Sequence, residues 1–188
     1  MAFVGIASVK QPICLSVILS ALIFTSTIHG AESESSLFQA IDERLGYMED
    51  VAVYKAQNQI PVEDVGREKI VLSNAKELAA IHGLDPDSME RFFIAQVSVA
   101  KAIQYRYTAE LLTREIPTRP IDLQSDIRPE LDRLGSDIVM LFSMTLQSRS
   151  AMGEESRERF MSTLQSRFLA DAERGALFDA MLEVRRSQ

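Results

Sequence analysis

LFQAIDERLGYMEDVAVYKAQNQIPVEDVGRE, residues 37 to 68, decides how this chain folds. Leu37, Ile41, Met48, Val51 and Ala52 recur at helical spacing and define the apolar face of a long amphipathic helix over residues 36–58, which the turn at Pro61 ends. Arg44 and Lys55 lie on that same face, because eleven residues at 3.6 per turn come within about 20° of three full turns. Two cations therefore stand on the side that should be buried, and a buried cation is costly unless something negative meets it. Spacing leaves two readings open. The side chains snorkel, or Arg44 pairs with Glu43, Glu49 or Asp50; alternatively, the two cations line a pocket for a small anion.

Outward from this stretch the periodicity stays helical. A second helix is expected over residues 62–82, with Glu63 and Asp64 in its first turn where the helix dipole favours acids, Gly83 as its stop and His82 as a cap. Asp85-Pro86 reads as an N-cap followed by proline at the first helical position, opening a third helix to about residue 114. Its stripe is Phe93, Gln96, Val97, Ala100, Ile103, Gln104, Tyr107 and Leu111, in which the two glutamines read as core hydrogen-bonders. IPTRPIDLQSDIRP, residues 116–129, breaks the pattern with three prolines and reads as a connecting loop. PELDRLGSDIVMLFSMTLQ restores it from Pro129, placing Arg128 at a loop-to-helix junction, where it is either exposed or reaches back over a neighbouring site. Two shorter amphipathic helices, joined near Leu169 to Asp171, complete the chain. The fold class is all-α: a single-domain helical bundle of about six helices, with long first and third members.

Composition sets the outer limits. The chain has 188 residues, 46% hydrophobic and 25% charged, enough for one sizeable core. Its 27 acidic residues against 20 basic ones give a net charge of -7, without a basic run, which argues against nucleic acid and against an anionic membrane surface. An anionic ligand would have to be drawn by a local cluster of cations. Residues 1–30 read as a secretory signal peptide, with Lys10 before the apolar stretch ICLSVILSALIFTSTI and small residues at HGAES marking a cleavage site near Gly30 or Ala31; an uncleaved N-terminal anchor is the alternative. Cleavage leaves residues 31–188 as one periplasmic or secreted domain, free of the membrane, with AESESS as a polar lead-in. Cys14 lies inside the leader, so the mature chain has no disulfide and its last helices are expected to be held by packing alone. With His82 its single histidine, a His-based metal site is improbable.

Three segments taken together resemble a family: ERL around Arg44, YKAQ around Lys55, and PVEDVGRE ending in Arg67 and Glu68 look like the all-helical, AroQ-type chorismate mutases, the exported subgroup above all. The similarity runs from about Leu37 to Tyr107. The resemblance implies a cofactor-free isomerase that rearranges chorismate to prephenate, in a homodimer whose pockets are each built within one chain. It gives Arg44 and Arg67 to the substrate carboxylates, with Arg128 as a third cation closing the pocket, and sets Lys55 and Gln104 on either side of the ether oxygen. Glu68 accepts from the ring hydroxyl, with Asp64 at the adjacent turn. Two positions depart from the pattern: Val71 stands where some exported members carry a polar residue, and Ala100 replaces a hydroxyl-bearing residue that touches a carboxylate. An isochorismate-pyruvate lyase of the same fold and a non-enzymatic secreted helical protein that binds an anionic partner are the competing readings.

Overall fold

A computed structural model describes residues 18–116, 122–148 and 152–188. It is all-helical: α1 (Ile18–Gly46), α2 (Met48–Gln57), α3 (Val65–Ile81), α4 (Pro86–Leu111), α5 (Arg128–Gln147), α6 (Glu154–Thr163) and α7 (Asp171–Leu182). The single helix expected over residues 36–58 is divided at Tyr47 into α1 and α2, and without that break the count is six. α1 lies along α5, while α2 and α3 both pack on α4, which also meets α7. Among the described residues the only β-type pairing is an isolated bridge between Leu84 and Arg186.

The turn between α2 and α3 is built by local rules. The N–H of Ile60 donates to Lys55 O (2.8 Å) and that of Gln59 to Ala56 O (3.4 Å), with Gln59 at φ 53°. This is a Schellman ending, in which one left-handed residue lets two amides satisfy carbonyls that the last turn leaves open. α3 ends in the same way, Leu84 donating to Ala79 O (2.8 Å) around Gly83 at φ 69°, where glycine meets no Cβ penalty. α3 starts later than the acidic pattern suggested. Asp64 is its N-cap and not a first-turn residue, and its Oδ1 accepts from the Arg67 N–H (3.0 Å) because a carboxylate there satisfies an orphan donor. Asp85 caps α4 by accepting from Ser88 N–H (2.7 Å), with Pro86 behind it.

Several expectations are corrected. AESESS is not a lead-in: it lies within α1, and Ser33 and Glu34 are buried one turn before Leu37 and Phe38. The proposed leader falls partly on residues 1–17, outside the described residues, and the described backbone carries α1 back to Ile18. Among the described residues no helix is long and apolar enough to cross a membrane. The connecting segment after α4 includes residues 117–121, outside the described set, but its second half is ordered by Asp122. That side chain accepts from Gln124 N–H (2.7 Å) and Ser125 N–H (2.9 Å), opening a π-helical turn over Leu123–Ile127 that runs straight into α5.

Packing is not the only thing holding the last helices. Phe160 sits edge-on to Phe38 of α1 at 5.1 Å between ring centroids and tilts against Phe178 at 5.5 Å. Beside it the buried Glu34 carboxylate accepts from Ser156 Oγ (3.2 Å) and from the Arg159 guanidinium, tying α1 to α6. Arg106 of α4 forks onto Glu173 of α7 (2.6 and 2.8 Å), the geometry that makes such pairs strong.

Gln96 departs furthest from its reading. It is fully buried on α4, and neither its Nε2 nor its Oε1 has a hydrogen-bond partner. An amide stripped of water without replacement bonds costs about 1–3 kcal/mol per unmet group, whereas an apolar side chain of the same shape carries no such penalty. Gln96→Met should therefore raise the stability of the protein by about 1–3 kcal/mol in urea denaturation. A destabilised Gln96→Met variant would mean that the amide has partners in solution.

Candidate active site

The first helix delivers its two cations to the interior. Arg44, in the last turn of α1, is 5% exposed and Lys55, in the last turn of α2, 6%. Neither snorkels to solvent, and among the described residues Arg44 has no ion pair with Glu43, Glu49 or Asp50. Its guanidinium carbon lies 5.9 Å from the centre of the Phe93 ring, and its Nε has no hydrogen-bond partner. Burial lowers the Arg44 pKa to about 10, Asp132 opposing the shift and Arg67 adding to it. Lys55 Nζ donates to the carbonyl of Val62 (2.6 Å), a group placed there by the turn just described. Its pKa is lowered too, by desolvation first, with Asp64 opposing and Arg128 reinforcing.

Around these two, a cleft gathers all seven residues singled out from the sequence: Arg44, Lys55, Asp64, Arg67, Glu68, Gln104 and Arg128. They come from α1, α2, the start of α3, the middle of α4 and the start of α5. Asp64 uses both oxygens, one on the α3 cap and the other accepting from Arg128 Nη2 (2.9 Å), so one carboxylate ties the α5 junction to α3. The bond from Arg128 Nη1 to Gln124 Oε1 (2.8 Å) fixes the same side chain from its own loop, so Arg128, half-buried, lines the cleft. Arg67 pairs with Asp132 of α5. Gln104 Nε2 donates weakly to Ala100 O (3.3 Å) and Met48 Sδ (3.4 Å), while its Oε1 is unpartnered. Val71 and Ala100, the two departures, are both on the wall.

Lys101 is the functional candidate that the apolar stripe concealed. It lines the same cleft, and its Nζ donates to Glu68 Oε2 (3.0 Å). Its place three residues before Gln104, on the same helical face, was the available signal. With it the lining holds five cations, Arg44, Lys55, Arg67, Lys101 and Arg128, against the two carboxylates Asp64 and Glu68. A locally positive, half-enclosed cleft in an acidic chain selects a small anion, and the geometry suits a ligand with more than one negative group. Arg44, Val71 and Leu131 also face a second hollow between α3 and α5.

Fold and cleft together define an all-helical protein with a cationic pocket. Residues 31–105 match chorismate mutase type II. The chain is 30% identical over 176 residues to the monofunctional chorismate mutase of Enterobacter agglomerans, covering 92% of this chain and 97% of that one. It is 32% identical over 171 residues to the secreted chorismate mutase of Yersinia pestis, covering 89% and 90%. The crystal structure of the Yersinia pestis protein superposes with a TM-score of 0.75 at 32% identity, covering 80% of this chain and 97% of that one. A chorismate mutase from Burkholderia thailandensis gives a TM-score of 0.66 at 28% identity, covering 79% and 96%. The chain belongs to the chorismate mutase type II family.

The electrostatics of Arg44 generate a test that needs no substrate. A buried guanidinium with an unmet Nε is a liability in the empty protein, and an unbranched apolar side chain of similar reach removes it. Arg44→Met should stabilise the ligand-free protein by roughly 1–3 kcal/mol while abolishing its binding of dianions. Thermal melts with and without a dicarboxylate ligand measure both effects; a destabilised Arg44→Met variant would show that the cation is internally compensated.

Proposed function

We propose that this protein is an exported chorismate mutase that converts chorismate to prephenate without a cofactor. The observation that carries the reading is the convergence of Arg44, Lys55, Arg67, Gln104 and Arg128 from five helices on one cleft. Chorismate carries two carboxylates, a ring hydroxyl and an enolpyruvyl ether, and its rearrangement is concerted, with no nucleophile and no proton transfer. Such a reaction is accelerated by holding the side chain over the ring and by fixed donors where charge grows on the departing ether oxygen.

The roles follow from chemistry and position. Arg44 and Arg67 present planar guanidinium groups to the carboxylates, with Arg128 reaching in from the α5 junction as the third. Lys55 donates to the ether oxygen, and Gln104 donates to it from the facing helix. Glu68 accepts from the ring hydroxyl, and Asp64 holds both the turn and Arg128 in place. Arg44 and Lys55 suit their roles because they are already desolvated: a donor that has left water before the substrate arrives needs little reorganisation as charge develops.

Export rests on the leader-like N-terminus and on the relatives named as secreted. The mature chain then begins near Ala31 and acts in the periplasm or the medium as a homodimer. N-terminal sequencing of the exported protein and analytical ultracentrifugation test these two points. Supplying chorismate and isochorismate separately to the purified protein decides the reaction. Prephenate from chorismate supports the mutase reading; pyruvate released from isochorismate, with chorismate untouched, would replace it by the lyase.

Removing the Lys55 donor should cost about 2.7–4 kcal/mol of transition-state stabilisation, so Lys55→Ala should lower kcat by roughly 10²–10³. Near-normal turnover would take Lys55 out of the mechanism. In the wild type the same donor must stay protonated, and because burial lowers its pKa, activity should fall on the alkaline side before pH reaches the ordinary lysine value of 10.5. Gln104 donates at any pH, whereas a carboxyl in its place donates only when protonated. Gln104→Glu should therefore be active in acid and lose activity as pH rises and the new carboxyl ionises; a pH profile like that of the wild type would contradict the role of the amide.

A further inference from the structure

Glu68 presents a problem that the catalytic assignment alone does not solve. Its carboxylate lies in a cleft with four cations meant for the substrate, and its charge reaches Lys55, acting with Asp64 and Glu63 against the lowering of that lysine's pKa. An acid free to swing onto Lys55 would occupy the donor on which the ether oxygen depends. Asp64 is kept from the same contact by its bonds to the Arg67 N–H and to Arg128.

The equivalent restraint on Glu68 comes from Lys101. Its Nζ holds Oε2 at 3.0 Å, and the two side chains are 30% and 26% exposed, at the rim of the cleft and not on its floor. Only Oε2 is engaged, which leaves Oε1 to accept from a ligand hydroxyl. α4 carries Lys101 next to Ala100, the position without the hydroxyl, and one turn before Gln104, so the restraint, the apolar wall and the amide donor share one rigid helix. An ion pair at partial exposure contributes little to stability, so its value lies in where it keeps the acid.

We propose that Lys101 is a positioning residue: it draws the Glu68 carboxylate to the rim of the cleft, keeping Lys55 available as a donor and one Glu68 oxygen available to the substrate hydroxyl. This rests on the chorismate mutase reading. Neutralising Lys101 releases Glu68 onto Lys55, so the loss appears in the chemical step.

The test is a double-mutant cycle on chorismate turnover. Lys101→Met should lower kcat roughly tenfold with KM changed by less than about twofold. Lys101→Gln should behave alike, while Lys101→Arg, which keeps the cation, should stay within about threefold of the wild type. The diagnostic outcome is suppression. Adding Glu68→Gln to Lys101→Met removes the charge that blocks Lys55, so the double variant should turn over faster than Lys101→Met alone. Losses that multiply in the double variant, or a Lys101→Met enzyme with wild-type kcat, would overturn the assignment. A wild type that leaves chorismate unchanged would overturn the mutase reading as well, and so is told apart from failure of the Lys101 role alone.

Discussion

Everything in this molecule depends on holding two cations, Arg44 and Lys55, out of water on the apolar face of the first helices. Desolvating a charge costs several kcal/mol, and folding tolerates it only when the rest of the core is well packed. The core here is large and aromatic, with Phe38, Phe92, Phe93, Phe142, Phe160 and Phe178 fully or almost fully buried. The cations on the floor of the cleft are left short of partners: one guanidinium nitrogen of Arg44 has none, and Lys55 has one carbonyl. Those nearer the rim are each matched to an acid, Arg67 to Asp132, Arg128 to Asp64 and Lys101 to Glu68. The result is a gradient from satisfied rim to unsatisfied floor. A multiply charged anion therefore gains most at the bottom, where water competes least.

The turn between α2 and α3 turns that gradient into a geometry. Gln59 in the left-handed region and Pro61 after it end α2 abruptly, so the chain doubles back within a few residues and brings the Val62 carbonyl onto Lys55. Asp64 then starts α3 and catches Arg128 from a helix that begins more than sixty residues later. One short segment thus sets the depth of the lysine, the start of the helix that carries Arg67 and Glu68, and the reach of the α5 arginine. Rigidity here is a property of capping chemistry: the Gln59 and Ile60 amides and Asp64 Oδ1 satisfy groups that the adjoining helices leave open.

The C-terminal third supports the site without entering it. Lacking a disulfide, it is fastened by the Phe38–Phe160–Phe178 contacts, the Glu34–Arg159 pair and the Arg106–Glu173 fork. These link α1 through α6 and α7 to α4, and it is α1 and α4, the two longest helices, that carry Arg44 and Gln104. Membership of the chorismate mutase family agrees with such a design, since a reaction that needs only orientation and fixed charge demands a stiff scaffold more than a mobile one.

Much of this was legible in the residues alone. Periodicity marked the helices, proline and glycine marked their ends, and the eleven-residue step from Arg44 to Lys55 put both on one face, because each of these is a short-range property of the backbone. The seven candidate residues were named from the sequence, through spacing and resemblance. Whether Arg44 faced its acidic neighbours or an enclosed space was a tertiary question, since both arrangements satisfy the same helical spacing. So was Gln96, an amide on an apolar stripe whose partners depend on what the other helices bring to it. Lys101 escaped notice because a lysine beside an apolar stripe reads as solvated until α3 supplies Glu68 opposite it. The linear order determined which groups share a face; only the approach of distant helices decided which charges are matched, which are buried bare, and hence where an anion is held.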